Sequence, residues 1–263
     1  YGSVKGEEIA DYSYNYSTKK ATPTTYADSV AKTTSVFYYN DLRADDGATS
    51  EDAMTKSESY KTTDIDDIEK TAVTGIDVDG NGILDPGDTA AVIPNLQSET
   101  FFQGGKGDEI SDYSYNYQVG TLTKKSTSVF FYTPVSGVEV ARAKDADTEA
   151  TMARSLAYKG EKTVTDLTDF YNASNVIQDL GALTGETYYY GLVKGEEIAD
   201  YAYNYSTKKD IAGDYIDSIP KTTSAFYYND LRADDGATSE DAMTKSETYK
   251  TIDVTKIDKT TAG

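Results

Sequence analysis

The residues best spaced for chemistry form a twelve-residue stretch, Asp77-Val78-Asp79-Gly80-Asn81-Gly82-Ile83-Leu84-Asp85-Pro86-Gly87-Asp88. With Asp77 as position 1, oxygen-bearing side chains fall at positions 1, 3, 5, 9 and 12, on Asp77, Asp79, Asn81, Asp85 and Asp88. Gly82 occupies position 6, where such a loop turns sharply, and Ile83 at position 7 offers its backbone carbonyl. A hard cation such as Ca2+ takes about six to eight oxygens in a tolerant geometry, and this spacing supplies them. The competing reading is an acidic Asp/Gly turn. Five side-chain positions agreeing together with the glycine favour the ion.

Other candidate chemistry is thinner. Asn15, Asn172 and Asn204 each begin an Asn-x-Ser triplet, the acceptor pattern for N-linked sugar. Tyr12, Tyr14 and Tyr16 alternate with polar residues and suggest cross-linking or sugar stacking, but cross-strand aromatic packing is the simpler account. The Lys-Gly-Glu-Glu string at Lys5, with relatives at Lys106 and Lys194, reads as a solvated charged turn rather than an isopeptide donor. Acid clusters at Asp45-Asp46 and at Asp64, Asp66 and Asp67 imitate a paired-carboxylate glycosidase. No pocket-forming apolar segment surrounds them, so surface acids are expected and an enzyme is not.

Composition removes whole classes of function. The chain has no Cys and no His, which excludes thiol or imidazole nucleophiles, His-ligated zinc and disulfides. Its net charge is −20, the wrong sign for a nucleic-acid partner. No apolar run approaches the ~20 residues of a helical membrane span. Leu, Ile, Val and Phe together number 46 of 263, low enough with this charge to suggest disorder. The 24 Tyr reverse that reading, because a tyrosine ring buries apolar area while its hydroxyl stays hydrogen-bonded.

The elements that must position these residues recur along the chain. Val4 to Thr74 aligns without gaps on Val193 to Gly263, with 52 of 71 positions identical. A divergent relative lies between them: Asp112 to Tyr117 matches Asp11 to Tyr16, and Ser128 to Tyr132 matches Ser35 to Tyr39. The expected organisation is a unit at 1–98 carrying the calcium-like loop, a divergent unit at 99–185, and a truncated return of the first at 186–263. Each unit reads as four strands: the Tyr-x-Tyr-Asn-Tyr run, a β-branched and aromatic strand at Thr34 to Tyr39, a return strand at Met54 to Lys61, and the Glu-Thr-aromatic run. Asn40 to Ser50 is an acidic loop. Leu167, Phe170, Ile177 and Leu180 fall near helical spacing, so Asp166 to Leu180 is expected to form an amphipathic helix stopped by Gly181. The fold class is all-β: tandem antiparallel units, sandwich- or solenoid-like, with short helical segments, forming a fibre. Tyr1-Gly2 corresponds to Tyr190-Gly191, so the chain reads as a window from a longer array.

The loop from Asp77 to Asp88 resembles the EF-hand-like calcium loop of dockerins and other extracellular modules. It departs from that pattern at position 12, where Asp88 replaces the bidentate Glu. The recurring Lys-Gly-Glu-Glu-Ile-Ala-Asp-Tyr string resembles the Tyr- and Thr-rich tandem repeats of very large bacterial surface proteins. Those resemblances imply a calcium-bearing structural protein of the cell exterior, with further copies of itself or of the array as partners. The alternative is an adhesin module taking surface glycans.

A calorimetric titration of the chain with millimolar Ca2+ is expected to show one site; absence of any binding heat contradicts the ligand assignment.

Overall fold

A computed structural model describes residues 7–22, 25–65, 68, 95–133, 140–172 and 174–257. The calcium-like loop lies outside these residues. The protein is built mostly of antiparallel β-sheet, from fourteen described strands: β1 (Tyr12–Ser17), β2 (Lys20–Thr22), β3 (Thr25–Tyr26), β4 (Val30–Tyr39), β5 (Met54–Tyr60), β6 (Leu96–Gln103), β7 (Ile110–Tyr117), β8 (Lys124–Tyr132), β9 (Ala141–Arg142), β10 (Met152–Lys159), β11 (Leu183–Tyr190), β12 (Ile198–Lys209), β13 (Tyr215–Tyr228) and β14 (Met243–Tyr249). The chain divides into two compact units, one of residues 1–109 and 114–125, the other of 110–113 and 126–263.

In the first unit the strand order is β1-β4-β5-β6, with β2 and β3 forming a separate small ribbon. Tyr12 lies opposite Val36 and Tyr14 opposite Thr34; beyond them Val36 faces Glu58, and Glu58 faces Glu99. In the second unit the order is β8-β10-β11-β12-β13-β14, with β9 against β8. Strands form here because Thr, Val and aromatic residues pack well on a pleated surface.

The core is aromatic, as the scarcity of aliphatic residues requires. In the second unit Phe131 meets Phe170 and Tyr171 edge-on, with ring centres 5.8 and 5.0 Å apart. Val129, Leu156, Tyr158 and Leu183 close the cluster. In the first unit Val36, Tyr60, Ile68 and Leu96 are fully buried. A buried threonine on the central strand uses its hydroxyl to hold the chain after the return strand. Thr34 donates to the Thr62 carbonyl at 2.7 Å, Thr127 to Gly160 at 2.9 Å and Thr223 to Thr251 at 2.6 Å. Each buried donor is thereby satisfied, which avoids the roughly 1–3 kcal/mol cost of leaving it bare.

Two expectations need correction. The helix over Asp166 to Leu180 is a single turn, α1 (Leu167–Phe170). Beyond it the Asn172 side-chain carbonyl accepts the Ser174 and Val176 amides, and Asn175 takes a left-handed φ of 57°. Side-chain bonds of this kind compete with helix continuation. Tyr171 then bridges Ile177 in extended pairing. The tyrosine rows also differ in burial. Tyr115 and Tyr117 of β7 are each 9% exposed, whereas Tyr12, Tyr14 and Tyr16 are 40%, 36% and 60% exposed. Among the described residues β1 has a strand on one side only, so half the cover a row could receive is missing.

Tyr117→Ala should therefore cost roughly 3–5 kcal/mol in urea unfolding, and Tyr14→Ala under about 1 kcal/mol; equal costs at the two positions would contradict this burial pattern.

Candidate functional site: a recurring buried ion pair and a tyrosine–glutamate cleft

The site begins with a turn. Asn40 and Asp41 have φ of 47° and 66°, and Asn229 and Asp230 have 48° and 68°. Two successive left-handed residues make the tight hairpin turn that matches strand twist, and Asn and Asp tolerate it best. Tyr39 and Leu42 exchange both backbone hydrogen bonds across it, at 2.8 and 3.0 Å. The chain then doubles back beside β4, placing Arg43 against the residue that precedes β1.

There Arg43 meets Asp11. Its Nε and Nη2 donate to the two carboxylate oxygens at 3.2 and 2.6 Å. Arg232 and Asp200 repeat the two-pronged geometry at 3.1 and 2.5 Å. Arg142 donates to Asp112 Oδ1 at 3.0 and 2.6 Å and to the Thr165 carbonyl. All six residues are buried. The chain has four arginines, so three of them serve this one purpose. A tyrosine latches the same place: Tyr39, Tyr132 and Tyr228 donate their hydroxyls to the carbonyls of Ala10, Ser111 and Ala199, each the residue before the paired aspartate.

The Lys-Gly-x-Glu strings make a second tie. Glu109 accepts the amides of Met54 and Gly107 at 3.0 and 2.9 Å. Glu197 accepts those of Met152 and Gly195 at 2.7 and 2.8 Å. Each glutamate thus joins its own turn to the first residue of a distant return strand, β5 or β10. The string is a staple, not merely a solvated turn.

Between the strands lie glutamates surrounded by tyrosine hydroxyls. Glu58 takes the hydroxyls of Tyr38 and Tyr60 at 2.7 and 2.5 Å and the Lys56 ammonium at 2.6 Å. Burial pushes its carboxyl up, but Lys56 and the two phenols outweigh that and hold it below the usual carboxylate range. Glu99, directly across, is pushed up by burial and by the Glu58 charge, against the hydrogen bond from Tyr117. The two facing acids are thus pushed in opposite directions by their surroundings. In the second unit Tyr171 donates to Glu186 at 2.9 Å and Arg154 stands 3.8 Å away; burial still raises the Glu186 carboxyl. Glu186 forms one wall of a cleft of about 360 Å3 that also includes Ile177, Leu180, Tyr188, Tyr203 and Tyr205.

The sequence-derived candidates fall elsewhere. Asp77, Asp79, Asn81, Ile83, Asp85 and Asp88 lie outside the described residues, as do Asp66 and Asp67. Among the described residues no group of three or more acids is gathered to hold a metal. Asn15 is on β1 and donates its Nδ2 to Thr33 and Ser35 at 3.1 and 2.9 Å. Asn204 does the same toward Thr222 and Ser224 at 3.2 and 3.0 Å. That nitrogen is the atom a glycan would occupy, so glycosylation there exchanges two hydrogen bonds for a sugar. Asn172 is exposed and uses its side-chain oxygen for the local turn, not its nitrogen. Asp45 lies 3.5 Å from the Arg43 guanidinium and belongs to the ion pair, not to an acid dyad. No described helix is long and apolar enough to cross a membrane. A scan against protein-family models finds no match, and a search of the curated proteins finds none either.

Burial raises the phenols of Tyr38, Tyr60, Tyr158, Tyr171 and Tyr188 far above their ordinary value, the neighbouring glutamates or Asp179 adding to it. A group whose folded value is raised stabilises the fold below its unfolded value, near pH 10, and loses that contribution as pH climbs further. Absorbance titration at 295 nm should show a class of tyrosines that ionises only together with unfolding, with stability falling from about pH 10 upward; smooth ionisation of every tyrosine in the intact fold would contradict it.

Proposed function

We propose that this chain is a structural component of an extracellular filament or surface fibre, built from tandem β-rich repeats and stabilised by calcium at Asp77 to Asp88. The observation that carries the reading is the recurrence of one joint. The aspartate–arginine pair, the tyrosine latch and the threonine bond each occur at three places, built from the same residue types. Material that reuses one joint can be lengthened without new design, because each repeat need only satisfy its neighbours. The net charge of −20 keeps long acidic chains apart in solution. A chain without cysteine owes nothing to redox conditions. No turnover is assigned to it.

The cleft beside Glu186 favours a second reading, an adhesin that takes surface sugars. Tyrosine faces for stacking and a carboxylate for hydroxyls are the groups such a ligand needs. The fibre is preferred because its joint recurs at three places along the chain.

Sedimentation and negative-stain imaging of residues 1–263 over rising concentration, in Ca2+ and in chelator, test the fibre. Elongated species that lengthen with concentration and shorten on chelation are expected. A compact monomer under all conditions, with no filament in the native source, would overturn it.

A further inference from the structure

The inference deepens the fibre reading and rests on it. Residues 9–20 and 198–209 are identical except at Ser13 and Ala202, yet the strands they form are differently covered. β12 is paired along both edges, by β13 and by β11. Among the described residues β1 is paired by β4 alone. Its outer edge is polar backbone with a row of half-exposed rings beside it.

The direction of the unpaired groups follows from one hydrogen bond. The Asp11 carbonyl accepts the Phe37 amide at 3.0 Å, so Asp11 points its backbone toward β4. Backbone groups alternate sides along a strand, so Ser13 also faces β4, while the amides and carbonyls of Tyr12 and Tyr14 face away. An exposed strand edge of this kind is a template for another strand.

The second unit shows which strand fits an almost identical edge. There β11 lies antiparallel to β12 with Gly185 opposite Asn204, Glu186 opposite Tyr203, Thr187 opposite Ala202 and Tyr188 opposite Tyr201. The Tyr188 and Tyr201 rings stack at 4.4 Å and 15°. Glu186 offers its carboxylate to the surrounding phenols, and burial raises the Tyr201 and Tyr205 hydroxyls above their ordinary value. A Cβ at Gly185 would meet the Tyr203 carbonyl at 3.7 Å, an ordinary contact, so the pairing itself does not require glycine there.

We propose that the outer edge of β1 takes an antiparallel Gly-Glu-Thr-aromatic strand of the β11 kind, donated by another repeat of the same type. The register carries over directly: the glycine opposite Asn15, the glutamate opposite Tyr14, the threonine opposite Ser13 and the first aromatic ring stacked on Tyr12. The main chain supplies the affinity. The ring stack and the glutamate, which accepts from tyrosine hydroxyls, select this strand over others.

A capped peptide with the sequence of residues 183–191 tests this on the intact chain by amide hydrogen exchange. At peptide ten times above its Kd, exchange at Tyr12 and Tyr14 should slow about tenfold, with Ser13 unchanged because it already faces β4. Tyr12→Ala, a change at an exposed ring, should weaken binding roughly threefold to tenfold through loss of the stack. A peptide with lysine in place of the glutamate should bind less well still. Unchanged exchange at Tyr12 and Tyr14, or equal protection by a scrambled peptide, overturns the proposal. The fibre is judged separately. Failure of the peptide alongside calcium-dependent filaments removes β1 as the joint and leaves the fibre, and binding by a chain that never assembles supports the joint and counts against the fibre.

Discussion

The buried pairing of an aspartate at the start of a tyrosine-rich strand with an arginine beyond the next strand is the interaction on which the rest of the structure depends. Asp11 with Arg43, Asp112 with Arg142 and Asp200 with Arg232 each tie two points some thirty residues apart in sequence. Removing two charges from water is expensive, and their attraction only roughly offsets it. The pair therefore contributes little net stability against an apolar replacement. Its effect is on geometry. A strand shifted by one residue would leave both charges buried and unpaired, at a cost of roughly 3–5 kcal/mol. Arginine suits the place because its planar fork meets two carboxylate oxygens at once. The tyrosine hydroxyl on the residue before each aspartate holds the same backbone from the other side.

A core assembled from tyrosine and threonine explains why such fixing is needed. Aliphatic packing alone tolerates sliding, but the buried hydroxyls at the strand centres have assigned acceptors: Tyr38 and Tyr60 on Glu58, Tyr171 on Glu186, Thr34 on the Thr62 carbonyl. Polar cores of this kind are specific when satisfied and costly when not. They also make the fold sensitive to alkali, since ionised phenols cannot remain beside carboxylates.

The strands were legible because their period of two is written in the residues. Tyr12 to Ser17, Thr34 to Tyr39 and Met54 to Tyr60 fall on strands β1, β4 and β5. The ion pair was not legible, because an arginine within Asp-Leu-Arg-Ala-Asp-Asp-Gly looks like one charge in a solvated acidic loop. The signal that marks it is rarity: four arginines in the chain, each beside a strand end or within a strand, with none in the Lys-rich stretches. Glu109 and Glu197 were hidden for a similar reason, since nothing in Lys-Gly-x-Glu announces a bond to a methionine amide far away in sequence. The failed helix after Asp166 shows the limit of apolar spacing, which Asn172 overrides by accepting local amides with its side chain and Asn175 by its left-handed backbone.

The most direct measurement is a double-mutant cycle at Asp200 and Arg232, using Asp200→Asn, Arg232→Met and the two together, read by urea unfolding and by amide exchange in β12 and β13. If the pair fixes these strands, each single change costs roughly 3–5 kcal/mol and the double change costs far less than their sum, with exchange accelerated along both strands in the singles. Single changes that each cost under about 0.5 kcal/mol, adding without coupling, would contradict it.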